Sequence, residues 1–299
     1  GESAENVARE FFNNNQKNPY FNDLLARVLY AEGKKEESEK LYRDFISKNS
    51  GYETTRYWVN YLYGTGKFEE ALAECEKGIK ENPADVFFEE MKFNVLRNME
   101  KHDEALAVIQ KMYENDKTRP DYGLDYASEL SVLKRYDDAI SVLNDLQKNY
   151  EDYSEVYIEF FRVFNEKGDF DTALNYAAIA MEKADDDETL MHFPEEVIDD
   201  GLKASKINEI KAFFDDLISN EDEDSPLRLI YMADKAIITG STEGYERGKE
   251  EIDGITKDKN EICEILKMHR EIENEAALKF IKEYIDKECK NLEKDEEKK

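Results

Sequence analysis

Histidines, cysteines and clustered carboxylates are the side chains here that could do chemistry, and each set lacks the spacing its chemistry requires. His102, His192 and His269 have no His or Cys partner three or four residues away, so the pairing that holds zinc on one helix face is missing. Cys75, Cys263 and Cys289 contain no Cys-x-x-Cys pair. Their low, odd number argues against a disulfide framework and mildly favours a reducing compartment. Acids cluster at Asp185 to Glu188, at Glu195-Glu196 with Asp199-Asp200, and at Glu221 to Asp224. None of these runs has the Gly and terminal Glu of an EF-hand loop, and they are expected to be solvated inter-helix loops. There is neither a phosphate-cradling Gly-x-x-x-x-Gly-Lys nor a Gly-x-Ser-x-Gly elbow. No catalytic, cofactor-binding or metal-ligating residue is assigned, and a non-enzymatic protein is expected.

The acids matter more as a field than as a site. Among 299 residues, 42 Lys+Arg stand against 71 Asp+Glu, a formal charge of −29. A nucleic-acid partner is disfavoured because phosphate binding needs a basic footprint, and an anionic membrane surface is disfavoured likewise. No apolar run approaches the roughly 18 residues that span a bilayer, so membrane insertion is not expected. The chain opens Gly1-Glu2-Ser3. That start reads as processed or trimmed; a cytoplasmic protein is slightly favoured, with an exported one that has lost its signal as the alternative.

The elements that would position a site announce themselves by repetition. Ala71, Ala105, Ala139 and Ala173 are 34 residues apart, and Ser38 stands 33 before the first. A turn precedes each small residue, as in Gly66-Lys67-Phe68-Glu69-Glu70-Ala71 and Gly168-Asp169-Phe170-Asp171-Thr172-Ala173. The acids just before it suit a helix N-terminus, and the small residue lets two helices approach closely.

On these residues the chain resembles the tetratricopeptide repeat family, whose 34-residue unit is a pair of antiparallel helices. With the small residue at position 20, the family's large, small, large pattern in the first helix falls on Leu25, Ala26 and Leu29. It recurs at Trp58, Val59 and Leu62, at Tyr126, Ala127 and Leu130, and at Phe160, Phe161 and Phe164. The third unit departs, with Lys92, Phe93 and Leu96, and its first helix should be the least securely packed. Pro19 and Pro120 open first helices, where a missing amide hydrogen costs little.

The resemblance implies an all-α, right-handed superhelical solenoid of helix-turn-helix repeats with capping helices. Its expected parts are a capping helix or half-repeat at 1–18, five repeats at 19–187, divergent helical repeats and a cap at 188–292, and a tail at 293–299. Past Glu188 the phase decays, because position 207 holds Ile207 instead of a small residue. A further pair is expected at Pro226 to Ile238 and Thr242 to Ile252, with Ala233 near the small position and Gly240 in the turn. Helices should follow at Glu261 to Ile272 and Asn274 to Leu292.

In the family, positions 2, 5, 6, 9 and 12 of each first helix line a concave groove for a peptide. Carried over, the binding candidates are Arg27, Arg56, Tyr57, Asn60, Tyr63, Phe87, Met91, Asn94, Arg97 and Arg162. The 25 groove positions of the five units hold no lysine and a formal charge of only −3, so the acidity is expected on outer faces as a solubility feature. Arg27, Arg56 and Arg162 have acids three or four residues before them, which leaves Arg97 without a partner on its own helix. The carboxylate clamp by which some members hold acidic chaperone tails loses three or more positions in each of three frames, so that partner is not expected. The function implied is a scaffold or adaptor for a protein or peptide. The alternative is a regulatory or substrate-presenting region of a larger enzyme or secretion assembly, and a third reading is self-association through Phe280 and Tyr284.

Overall fold

The structure, a computed structural model, describes residues 3–49, 51–255, 259–269 and 271–289. All regular structure among the described residues is helical. Two compact units divide the chain, Gly1–Leu133 and Lys134–Lys299.

The first unit opens with α1 (Ala4–Asn14), capped by Ser3, whose hydroxyl accepts from the Asn6 amide. Helix pairs follow: α2 (Pro19–Ala31) with α3 (Lys35–Lys48), α4 (Tyr52–Gly64) with α5 (Phe68–Glu81), and α6 (Phe87–Asn98) with α7 (His102–Asn115). α8 (Pro120–Val132) completes the unit. Ala26, Val59, Leu62, Leu96 and Ala127 are wholly buried, as a chain that repeats one packed supersecondary unit requires. The third pair is as well packed as the others. Phe93 and Leu96 are buried, while Lys92 reaches out to Glu76 at 3.0 Å.

The second unit contains α9 (Tyr136–Asn149), α10 (Ser154–Lys167), α11 (Phe170–Lys183), α12 (Asp187–Lys203) and α13 (Ile207–Asn220). It continues with α14 (Pro226–Glu243), α15 (Tyr245–Ile255), α16 (Lys259–Met268) and α17 (Glu275–Tyr284), which ends in a π turn, Ile285–Cys289. One contiguous apolar core runs from Tyr157 to Cys289.

Each turn inside a pair uses one left-handed residue. It is glycine at Gly33 and Gly66, and the strain of a side chain is accepted at Glu100, Lys134 and Ser205. Ser205 explains why the repeat phase seems to be lost. α12 is three residues longer than α11, so the second helix begins at Ile207 and the small-residue position moves to Ile210. A large residue fits there because the small one has changed sides. Gly201 on α12 receives Ile210, and a Cβ on Gly201 would lie 2.2 Å from its Cγ2. In the next pair the small residue is back on the second helix, as Gly248 of α15.

Several expectations about the C-terminal third are corrected. Gly240 is no turn residue; α14 runs through it to Glu243, and the turn falls at Gly244. α16 stops at Met268 and α17 at Tyr284, short of the ranges expected, and residues 290–292 lie outside the described ones. His192 and the acids from Glu195 to Asp200 belong to α12, although Pro194 stands inside that helix. The lost Pro194 donor is tolerated because Phe193, Val197 and Ile198 bury themselves on the same helix. Phe280 and Tyr284 are core residues, which removes them as a surface for self-association. Cys263 and Cys289 form a disulfide, contrary to the reading of three unrelated thiols, whereas Cys75 is the buried core residue expected.

Candidate functional site

The ten groove candidates do not converge on one place. Arg27 is held by Asp23 at 2.7 Å, and it lines an open pocket of about 270 Å³ with Tyr30, Asn60 and Tyr61. Arg56 turns away from Glu53 and lies over the Phe87 ring at 4.4 Å, a cation–π geometry. The Tyr63 hydroxyl accepts from Asn98 at 2.9 Å, and Tyr57 is half-buried beside the Trp58 cluster. Met91 is only 9% exposed among Val59, Cys75 and Phe88, so it serves packing and is set aside as an anchor. Asn94 lines a smaller pocket of about 230 Å³ with Glu90, Arg119 and Tyr122.

Arg97, unaccounted for on its own helix, finds its partners one repeat on. Its guanidinium lies 3.3 Å from Glu129 and 3.5 Å from Asp125. Glu129 is fully buried, and His102 also reaches it at 2.6 Å. His102 is thus a polar partner across the repeat boundary as well as a half-buried packing residue. These groups explain one another within the first unit.

The largest opening lies in the second unit, on a helix the groove assignment had left out. Continuing the register one unit further puts Thr189, His192, Phe193, Glu196 and Asp199 of α12 at positions 2, 5, 6, 9 and 12. With Glu155, Ile158 and Arg162 of α10, they line an open pocket of about 570 Å³. Eight carboxylates and one arginine face it. Arg162 forms a two-pronged pair with Glu196, both bonds 2.8 Å, which links position 9 of one repeat to position 9 of the next. Asp200 accepts from Asn165 at 2.5 Å. Burial, reinforced by Glu196 and Asp199, pushes the Asp200 carboxyl up to about 6. Nearby on α10, burial pushes Glu159 up to about 7 against the pull of Arg162. The acidity is therefore concentrated on this face as well as spread over outer surfaces.

A distant segment closes one side of the pocket. Between α16 and α17 the backbone amides of Glu271 and Ile272 donate to Glu195 Oε2 at 2.9 and 3.0 Å. Those of Glu273 and Asn274 donate to the two oxygens of Asp199 at 2.6 and 3.0 Å. Ile272 is buried in the core, and Glu271 and Glu273 join the pocket lining. Glu195, at 2% exposure, also meets His192 at 3.1 Å. At the root of the segment His269 is sandwiched, with Nδ1 at 2.9 Å from the Ile265 carbonyl and Nε2 at 2.6 Å from Asp234. Burial would lower the imidazole, but Asp234, the carbonyl and Glu195 outweigh it and hold it up at about 9. The charged form donates from both nitrogens to these acceptors.

Sequence reasoning passed over α12 and the closing segment for different reasons. The α12 residues fit the register through Asp199, and the misplaced small residue ended the repeat one helix too early. Nothing local marks Glu195 and Asp199, since an acid four residues from another is common on an exposed helix. Among the described residues no cluster of three potential metal ligands is formed, and no helix is long and apolar enough to cross a membrane.

No family model matches the chain, and no curated protein does. Solved structures do. A tetratricopeptide repeat protein from Parabacteroides merdae aligns over 81% of this chain and 94% of its own, with 12% identity and a TM-score of 0.52. The human IFIT1 dimer with m7Gppp-AAAA aligns over 83% of this chain and 56% of its own, with 17% identity and a TM-score of 0.51. At such identities the likeness is one of fold.

Proposed function

We propose, for a chain whose fold is that of the tetratricopeptide repeats, a non-enzymatic scaffold that holds a protein segment against its first-helix faces. The supporting observation is the carboxylate-lined pocket on α10 and α12, at the repeat positions that form the groove in this fold. Its charge selects a segment with Lys or Arg side chains, because a cation entering it exchanges like-charge repulsion for charge-assisted hydrogen bonds. In the first unit the pocket of Arg27, Tyr30, Asn60 and Tyr61 suits an apolar side chain with a polar neighbour, and Phe87 with Arg56 offers an aromatic platform. The IFIT1 structure was obtained with RNA. RNA is not proposed for this chain, whose charge is −29 and whose largest pocket is acidic.

Titration calorimetry with a Lys-rich peptide, a Glu-rich peptide and a short single-stranded RNA tests the reading. The Lys-rich peptide should bind, weaken as salt rises, and lose about tenfold in affinity when Glu155→Gln and Glu196→Gln are combined, a loss of ~1.4 kcal/mol. Binding of the RNA or the Glu-rich peptide in its place would overturn the assignment.

A further inference from the structure

We propose that the segment Glu271–Asn274 is a lid over the acidic pocket, which a lysine-rich partner segment closes by bridging the lid's carboxylates to those of α12. This rests on the acidic pocket being the binding face. The geometry of the seat is the first ground. Four successive backbone amides of one short stretch are held by only two side chains, Glu195 and Asp199, one turn apart on α12. The stretch is thus attached through its backbone, and two of its side chains, Glu271 and Glu273, face the pocket while Ile272 anchors it in the core.

The second ground is electrostatic. Without a ligand, the lid lays two carboxylates against a helix face that already carries Glu196, Asp199 and Asp200. Asp199 must accept the Glu273 amide while its charge opposes the Glu273 carboxylate. Cations placed between the two acidic rows would convert that repulsion into attraction and draw the lid down. A third ground is mechanical: the Cys263–Cys289 bond closes a 26-residue loop containing the lid, and Asn274 caps α17 through the amides of Ala276 and Ala277. Both ends are therefore tethered, and movement is confined to a hinged closing over the pocket.

Amide hydrogen exchange at residues 271–274 in the full chain reads the lid directly. Hexalysine peptide, added at saturation, should slow exchange there by about tenfold. With Glu271→Gln and Glu273→Gln together, the peptide should still bind through α10 and α12, and the slowing should disappear. Bound peptide with exchange at these amides unchanged or faster would overturn the lid and leave the binding face standing. No binding of hexalysine at all would overturn both. Independently of any peptide, Glu195→Gln with Asp199→Asn should speed exchange at 271–274 while the buried amides of α14 keep their rates; unaltered rates in the lid would show that these two carboxylates are not its seat.

Discussion

At the scale of single residues, charges are paid for by neighbours about one repeat away. Arg97 reaches Glu129 over 32 residues, Arg162 reaches Glu196 over 34, and Asn165 reaches Asp200 over 35. Within one helix such residues look like ordinary surface polar groups, which is why Arg97 seemed unexplained from its own helix. His269 is the sharpest case, being buried between Asp234 and a carbonyl with its titration raised from 6.5 to about 9. Because the folded value lies above the unfolded one, its contribution is complete below about pH 6.5 and is lost as pH rises through about 9. Thermal unfolding between pH 6 and pH 10 should show the wild type losing at most about 3 kcal/mol relative to His269→Gln. Parallel profiles for the two would refute the ion-pair reading.

At the scale of elements, small residues set how closely helices approach, and they need not sit where the repeat places them. Gly201 on α12 makes room for Ile210 on α13, so a 34-residue count finds Ile207 and loses the phase. Between α14 and α15 the approach is closer still. A Cβ on Gly248 would stand 2.6 Å from the Gly240 Cα, and one on Gly240 would stand 2.3 Å from the Phe280 ring. Gly240→Ala should therefore cost about 1–3 kcal/mol by overpacking, measured by urea unfolding. Gly64→Ala in α4, where nothing lies near the added methyl, is the control and should not destabilise. Equal losses in the two variants would mean that backbone propensity, and not the close approach, dominates.

At the scale of the whole molecule, the two units differ in how far their contacts reach. The first is assembled from neighbouring pairs, as one-dimensional repeats are. In the second, the stretch after α16 returns to α12 across 74 to 77 residues, and a disulfide ties α16 to the terminal turn. Closing a 26-residue loop restricts the unfolded chain, so Cys263→Ser with Cys289→Ser should lower stability by roughly 3–4 kcal/mol in urea unfolding. An unchanged midpoint would mean that the bond contributes nothing under those conditions.

By itself the sequence determined the helices, the pairing of neighbours through Ala173 and the buried positions such as Ala26, Val59 and Phe161. These rest on periodicities of three to four and of 34 residues, which act between segments adjacent along the chain and leave a trace in composition. Tertiary structure alone decided that Cys263 meets Cys289, that Gly201 answers Ile210, and that Glu195 and Asp199 hold the backbone of residues 271–274. The physical reason is that a carboxylate accepting a distant backbone amide needs no particular residue type at the donor. The amide it binds is present at every residue except proline, so no pattern of side chains marks where the chain will return.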